Sequence, residues 1–217
     1  MNAKQKMLTI GTILTIIIVI AGSSLLFSPP PADGVKVVAT FYPLAFLSQE
    51  IGGAHVQVTQ LVPSNTEIHS WEPTFSHIQS TENADIIVYN GAGADHWIED
   101  EILPALSTTK NRIVVETTHG IDLILTDSDE HENEATEDHE HGLYDAHTWL
   151  SPYMAKLQAE NIYNAIIQKD PEHQSYYYQR WIDLNNRLEQ LDQEYLTQLA
   201  GKTKNEIFVS HAAFGYL

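Results

Sequence analysis

At 217 residues the chain can bury a substantial core but is too short for two full-sized domains, so one domain plus a fragment is expected. Its 29 acidic and 11 basic residues give a formal net charge of -18, which argues against nucleic acid and favours a cationic ligand, although a merely soluble surface would look the same. The absence of cysteine excludes disulfides, thiolate metal sites and lipid attachment through an N-terminal cysteine, so metal ligands would have to be His, Asp or Glu.

The first 28 residues differ from the rest of the chain. Lys4 and Lys6 precede an uncharged apolar run at residues 7–27, close to the ~20 residues that span a bilayer. The run predicts export, either as a cleaved signal peptide or as an uncleaved membrane anchor, which its length favours slightly. A proline-containing linker at residues 29–34 follows. We therefore expect a periplasmic or cell-surface protein, tethered by this segment if the segment is retained.

Short apolar runs alternate with helical patterns over the next hundred residues or so. Strands are predicted at residues 35–40, 56–61, 86–89 and 112–115, and helices at residues 43–51, 75–83, 97–106 and 151–169. Strands that alternate with helices indicate a mainly parallel α/β sheet with flanking helices. We assign this pattern to an N-terminal metal-binding lobe at residues 35–170, within which residues 127–142 form an acidic, solvated loop.

A single long helix is predicted at residues 171–200. Pro171 suits the first position of a helix, and apolar residues recur at spacings of three and four from Tyr177 to Leu199. At ~1.5 Å per residue such a helix is ~45 Å long, more than a small lobe needs, so it is a candidate link between two lobes. Residues 201–217 would then begin a second α/β lobe, with only its first strand at residues 206–210.

Three of the 11 histidines lie at the ends of predicted elements. His69 follows the second strand, His147 precedes a helix, and His211 follows an apolar run, at the carboxyl end of a strand where open α/β sheets bind ligands. Three imidazoles and a fourth donor would complete a tetrahedral zinc site. Spacing alone does not show that the three converge, and an ordinary solvated or core histidine is the stronger interpretation of each one taken singly.

Several motifs occur in order along the chain: VATFYPLAFLSQEIGG at 38–53, VPSNTEIHSWEPT at 62–74, NGAGADHW at 90–97, DAHTWLSP around His147 and SHAAFGYL around His211. Together they resemble the zinc and manganese substrate-binding proteins of ABC transporters, cluster A-I or periplasmic solute-binding protein family 9. The resemblance covers nearly everything after residue 34. It implies two α/β lobes joined by a long rigid helix, with the metal ion in the cleft between them.

The resemblance also implies which residues bind the metal. The family's histidine ligands fall on His69, His147 and His211, and relatives take an acidic fourth ligand from a region beyond the third motif. We therefore expect a C-terminally truncated chain: a fragment, a shortened product, or a chain completed by another polypeptide. Manganese members usually carry Glu at the third position, so His211 favours Zn²⁺ over Mn²⁺.

Departures from the family pattern surround two of these histidines. Ser64, Asn65 and Ile68 stand where relatives usually have Pro, Gly and Pro, which predicts a less rigid backbone around His69. Near His147, an alanine and a serine at positions 146 and 151 replace the common Pro and Asp. Neither change touches an expected ligand.

The function that the resemblance implies is binding without catalysis. We expect a monomeric extracytoplasmic protein that captures Zn²⁺ and delivers it to an ABC permease in the cytoplasmic membrane. The alternatives are a manganese-binding homologue, a surface adhesin, and a zinc-dependent hydrolase, since three histidines and a water can form a catalytic site. A hydrolase needs a general base, for which Glu72 is the nearest candidate, and the sequence lacks a His-Glu-x-x-His motif.

The acidic loop resembles the His-rich insertions of zinc-type members. It carries eight carboxylates and three histidines, His131, His139 and His141. The carboxylates would raise the local cation concentration, so weak zinc capture near the cleft is one role. A solubilising tether with incidental histidines is the equally strong alternative.

Overall fold

A four-stranded parallel sheet organises the chain in the computed structural model, which describes residues 34–126, 143–204 and 206–217. The strand order is β2-β1-β3-β4. The strands are β1 Val35–Ala39, β2 Val56–Gln60, β3 Ile86–Tyr89 and β4 Ile113–Glu116. The four predicted strands of the first lobe are confirmed, with ends that shift by one residue at most.

The two central strands, β1 and β3, determine where a ligand can bind. Strand β1 pairs with β2 on one side and with β3 on the other, so the direction of winding reverses between β1 and β3. Open α/β sheets bind ligands outside the carboxyl ends of their strands at this switch point. All four residues of β3 are buried, as expected for a strand covered on both faces.

Within the described residues, five longer helical segments accompany the sheet, besides the 3₁₀ turns Gly53–His55, Thr148–Leu150 and Pro171–His173. The five segments are α1 Tyr42–Gly52, α2 Phe75–Glu82, α3 (a π-helical turn Ile98–Ile102 followed by Leu103–Ala105), α4 Pro152–Lys169 and α5 Gln174–Leu199. Helix α1 packs on β1 and β2, whereas α4 packs on β3 and β4. The helix predicted at 97–106 is confirmed, although Ile98–Ile102 is π-helical and only Leu103–Ala105 is α-helical; Pro104 lacks the N–H that a regular α-helical ladder would use there.

Helix α4 illustrates how the sequence sets an element. Ser151 is its N-cap and accepts a hydrogen bond from the Met154 N–H at 3.5 Å, and Pro152 occupies the first turn. Its buried face repeats at intervals of three and four residues, through Ala155, Ala159, Ile162 and Ile166. Ser151 stands where the family resemblance implies an aspartate, and it caps the helix.

The long helix predicted after Pro171 is confirmed as a 3₁₀ turn, Pro171–His173, followed by α5. It packs on α4 and α1 through its first half, where Tyr177 and Leu184 are buried. Its second half keeps apolar residues in solvent, namely Leu191, Tyr195, Leu196 and Leu199. Its expected role as a link between two lobes stays a prediction.

The prediction of a strand at residues 206–210 is wrong. These residues carry no strand pairing within the described chain; Ile207 is 72% exposed and Phe208 fully exposed. A strand is stable only beside a partner that accepts its backbone hydrogen bonds, and no described strand lies alongside. The apolar composition of the segment was therefore not sufficient to make it a strand.

Some predictions fall on other parts of the chain. The apolar segment at 1–28, nearly all of the linker at 29–34 and the acidic loop at 127–142, with His131, His139 and His141, lie outside the described residues. Across the residues that the structure does describe, no helix combines the length and the apolar character needed to cross a bilayer.

Candidate metal centre

Three histidine side chains meet at the carboxyl edge of the sheet. Nε2 of His69 lies 3.4 Å from Nε2 of His147, and Nε2 of His211 lies 2.9 Å from the same atom. One ring nitrogen from each residue falls within 4.8 Å of those of the other two. Two nitrogens bound at ~2.0–2.1 Å to one tetrahedral zinc ion lie about 3.3–3.4 Å apart. The cluster therefore has the size of a three-imidazole metal site.

The cluster stands alone in the described part of the chain. It is the one group of three or more His, Cys, Asp or Glu side chains found there with ligand atoms close enough to share an ion. The structure thus brings together the three histidines that the sequence singled out. It does not bring Glu72, the proposed base of a hydrolase, into the lining of the cavity beside them.

The His69 connection leaves β2 and is fixed to the core by Trp97. The indole Nε1–H of this buried residue donates to the Ile68 carbonyl at 3.2 Å, and its ring packs edge-on against Trp71 at 4.4 Å. Asn65 adopts a left-handed conformation with φ of 66°. Asparagine tolerates this region better than most residues, which explains how it can occupy a position where the family resemblance implies glycine.

The NGAGADHW motif folds around the buried carboxylate of Asp95. Oδ2 accepts hydrogen bonds from the Thr40 hydroxyl at 2.6 Å and the Asn90 N–H at 2.7 Å, and Oδ1 accepts from the Gly91 N–H at 2.9 Å. These bonds tie the ends of β1 and β3 together at the switch point. Burial raises the pKa of Asp95 to about 6, against the opposing effect of the three hydrogen bonds.

His147 is oriented by Asp145. The carboxylate Oδ1 of Asp145 lies 2.7 Å from His147 Nδ1 and accepts from the His147 N–H at 2.9 Å. Because a carboxylate can only accept, the Nδ1 atom carries the proton and Nε2 presents a lone pair to the other histidines. A carboxylate behind a metal-binding imidazole is a common arrangement that fixes the tautomer and raises ligand basicity.

A buried polar network supports the His147 connection from below. The Asn90 amide donates to the Ala146 carbonyl at 2.9 Å, and the Asn90 carbonyl oxygen accepts from Gln158 Nε2 at 2.9 Å. Gln158 belongs to α4 and also donates to Thr117 Oγ1 at 2.9 Å. The backbone beside one expected ligand is thereby tied to the packing of a core helix.

A cavity of about 320 Å³ lies beside the three histidines. Its lining includes Phe41, Gln60, Val62, Glu67, Trp149 and Ala213. Partial burial alone would raise the pKa of Glu67. The hydrogen bond from the His69 N–H and the nearby His69 and His211 side chains have the larger effect, so the pKa is lowered. Glu67 therefore adds a negative charge next to the cluster, which favours a cation.

Sequence reasoning missed Asp145 and Glu67. Each is a carboxylate two positions before a histidine that had been singled out, and this spacing was the available signal. His77, by contrast, lies outside the cluster, and its Nδ1 accepts from the Thr74 N–H at 3.0 Å at the start of α2. That contact gives His77 a capping role in the helix.

Comparison with known proteins identifies the family of the chain. Residues 37–217 match the model of the family described as "ZnuA: Zinc-uptake complex component A periplasmic". The high-affinity zinc uptake system protein ZnuA of Bacillus subtilis is 34% identical over 190 residues, which are 85% of this chain and 58% of that protein. The zinc-binding protein AdcA of Streptococcus pyogenes is 31% identical over 196 residues, 86% of this chain and 38% of that protein.

A further relative carries another metal in its name. The iron ABC transporter substrate-binding lipoprotein MtsA of Streptococcus pyogenes is 28% identical over 219 residues, 98% of this chain and 67% of that protein. The names of these three relatives describe uptake and metal-binding proteins, in agreement with the expectation that the chain is not an enzyme.

Solved structures show the same fold. The metal-dependent lipoprotein YcdH of Bacillus subtilis superposes with a TM-score of 0.72 at 31% identity, over 84% of this chain and 62% of that one. A ZnuA crystal structure gives a TM-score of 0.73 at 24% identity, over 85% and 67%. The chain thus spans roughly three-fifths of the length of the B. subtilis relatives it matches. From its family match and its parallel α/β fold, the chain belongs to the ZnuA family of metal-binding substrate-binding proteins.

Proposed function

We propose that the chain captures Zn²⁺ outside the cytoplasmic membrane through His69, His147 and His211 and passes it to an ABC permease for uptake. The observation that supports this most directly is the convergence of three imidazole ring nitrogens, one from each histidine, within 4.8 Å in a member of a zinc-uptake family. No chemical step is required of the protein. A fourth donor, either water or a carboxylate, completes the tetrahedron around the ion.

The donor set favours zinc over manganese. Imidazole nitrogen suits zinc, whereas manganese prefers sites rich in carboxylate oxygen, and the cluster contains three imidazoles. The relatives named for zinc point the same way, and the relative named for iron makes metal preference a question for direct measurement. The adhesin alternative draws on a neighbour titled as a laminin-binding protein of S. pyogenes, and on no described feature of this chain.

Metal competition tests the proposed cargo. The full chain is stripped with a chelator and titrated with Zn²⁺, Mn²⁺ and Fe²⁺, each alone and then in pairwise competition. We expect one tight Zn²⁺ equivalent that Mn²⁺ does not displace at equal concentration, because three neutral nitrogen donors match zinc better. Tighter Mn²⁺ or Fe²⁺ binding would overturn the zinc assignment while leaving the site in place.

Delivery to a permease has a separate test. A strain that lacks the protein should grow poorly when zinc is chelated, and the wild-type chain should restore growth in zinc-poor medium. The His147→Ala variant, exported to the same level, should not restore it, because the cargo would no longer be held. Equal rescue by both chains would contradict capture through this site.

The acidic loop has its own proposed role as a weak zinc collector through His131, His139 and His141. Deleting residues 127–142 should leave the tight equivalent unchanged and remove additional weak ones, because the deletion removes three histidines but none of the three in the cluster. Isothermal titration calorimetry reads both classes of site. An unchanged total stoichiometry would contradict the collector role and favour the solubilising tether.

A further inference from the structure

The side chain of Tyr216 joins three separate parts of the chain. Its hydroxyl donates to the Asp145 carbonyl at 2.6 Å and accepts from the Ile124 N–H at 3.0 Å. The first contact lies two residues before His147, and the second lies on the connection that follows β4. The phenol oxygen thus fastens the segment at residues 206–217 to the part of the protein that carries His147.

This fastening matters because the segment has few other attachments. Within the described residues it forms no strand pairing, and its backbone hydrogen bonds, from Ala213 to His211 and from Leu217 to Phe214, stay inside it. Ala213 is buried, but His211 is exposed. The Tyr216 hydroxyl makes the segment's hydrogen bonds to backbone groups elsewhere in the described chain.

Gly215 brings the same segment onto the Asp145 side chain. A Cβ placed on Gly215 would lie 2.6 Å from Asp145 Oδ2, closer than such atoms approach in real structures. Position 215 therefore admits only glycine without displacing the carboxylate that orients His147. The backbone carbonyl of Asp145 thus accepts the hydrogen bond from Tyr216. Its side chain contacts the backbone at Gly215 and orients His147.

We propose that Tyr216 is a positioning residue for metal binding, which holds His211 Nε2 beside His147 Nε2 by anchoring the segment to Asp145 and Ile124. The proposal rests on the proposed role of His211 as a ligand. Without the hydroxyl, the segment would sample other positions, and ordering it again on metal binding would cost affinity. Asp145 is then a shared support, since it orients one imidazole and anchors the chain that carries another.

A double-mutant cycle separates positioning from general support of the fold. Zn²⁺ affinity is measured for the full-length wild type, Tyr216→Phe, His211→Ala and the double variant, by competition with a chromophoric chelator. Tyr216→Phe removes both hydrogen bonds of the hydroxyl, and we expect it to weaken binding about tenfold in the wild-type background, a loss of ~1.4 kcal/mol that lies within the net contribution of two hydrogen bonds. In the His211→Ala background the same change should alter affinity by less than about twofold, because no ligand remains to be positioned.

Tyr195→Phe is the matched control. Tyr195 lines the same cavity of about 410 Å³ as Tyr216, and its hydroxyl makes no hydrogen bond recorded within the described chain. Its substitution should leave Zn²⁺ affinity unchanged. Co²⁺ bound in place of Zn²⁺ gives a second readout, since its visible absorption reports coordination geometry. The Tyr216→Phe spectrum should shift towards that of His211→Ala.

Each result bears on a defined part of the proposal. Equal losses from Tyr216→Phe in both backgrounds, or no loss in the wild-type background, would overturn positioning by Tyr216 while leaving the three-histidine site intact. If His211→Ala alone bound Zn²⁺ as tightly as the wild type, His211 would not be a ligand and both proposals would fall at that residue.

Discussion

The backbone segments that carry the three histidines of the site are held in two different ways. His69 and His147 lie on connections held by buried donors, since Trp97 binds the carbonyl of Ile68 and Asn90 binds that of Ala146. His211 lies on a segment that is largely exposed and forms no strand in the described chain. The sheet therefore preorganises two ligands, whereas the third is brought to them by a tether. Preorganised ligands lose less freedom when the metal binds and so contribute more of the affinity.

The largest expected effects come from the ligands themselves. His69→Ala and His147→Ala should each weaken Zn²⁺ binding by more than about 100-fold, a loss larger than that caused by changing groups behind the ligands. His211→Ala should weaken Zn²⁺ binding less, by about 10- to 50-fold, because part of the binding free energy from His211 is offset by the ordering of its segment. Chelator competition on the three full-length variants measures this order.

Two other histidines serve as controls. His96→Ala removes an exposed imidazole and should leave both affinity and stability unchanged. His77→Ala should lower the free energy of unfolding by about 1 kcal/mol through loss of its cap, while affinity is kept. If His211→Ala weakened Zn²⁺ binding as much as His147→Ala, the difference between the preorganised ligands and the tethered ligand would not hold.

The switch point between β1 and β3 should show itself in pH-dependent stability. The pKa of Asp95 is about 6 in the folded chain against an ordinary value of 3.8, so between these values the folded state holds a proton that the unfolded state has released. The contribution of protonated Asp95 to the free energy of unfolding is therefore complete below about pH 4, and it is lost as pH rises through about 6. The difference corresponds to about 3 kcal/mol.

Urea unfolding of the metal-free chain between pH 4 and 7 measures this loss. Asp95→Asn cannot ionise, so the decline should be missing when the variant is compared with the wild type. The variant should also be less stable at pH 4, because an amide NH₂ replaces an acceptor that faces backbone N–H groups. Parallel curves for the two chains would show that Asp95 stays ionised in the fold throughout.

An intermediate effect is expected behind His147. Asp145→Asn keeps the shape of the side chain but weakens the bond to Nδ1, and loss of such a partner lowers metal affinity by about 10- to 100-fold. Asp122→Asn is the control, since it removes the same charge from an exposed position. Equal losses from both variants would mean that net charge, and not orientation of the imidazole, determines affinity.

The smallest effect should come from the anchor of the His69 connection. Trp97→Phe keeps an aromatic ring in the core but removes the donor to the Ile68 carbonyl, and we expect affinity to fall about threefold, within the range of one neutral hydrogen bond. Trp181→Phe is matched in size, and Trp181 Nε1 has no hydrogen-bond partner within the described residues. An affinity unaffected by Trp97→Phe would place the rigidity of this connection elsewhere.

The sequence predicted the sheet well because its strands are short apolar runs with clear boundaries. Ile86–Tyr89 was located to the residue, and the helix predicted at 151–169 is α4, which begins at Pro152. The strand at residues 206–210 failed on the same signal, since an apolar run specifies a buried or pairable segment but not the partner that would pair with it. Periodicity also could not distinguish a π-helical turn at Ile98–Ile102 from a regular helix.

The site was less accessible to sequence reasoning than the fold. The three histidines were identified through motif resemblance, because residues 78 and 64 positions apart carry no spacing signal for convergence. Asp145 and Tyr216 act through atoms whose neighbours are set by tertiary structure. For Tyr216 those neighbours are the backbone groups of two distant residues, which no local pattern reveals.

The hydrogen bonds from Gln158 through Asn90 to the Ala146 carbonyl have an evolutionary consequence. A substitution that repacks α4 around Gln158 is transmitted to the backbone beside His147, so selection on thermal tolerance and selection on metal capture act on the same residues. Position 211 lies outside this network of Gln158, Asn90 and Ala146. A lineage could exchange the donor at that position, and with it the metal preferred, while the inherited lobe stays as it is.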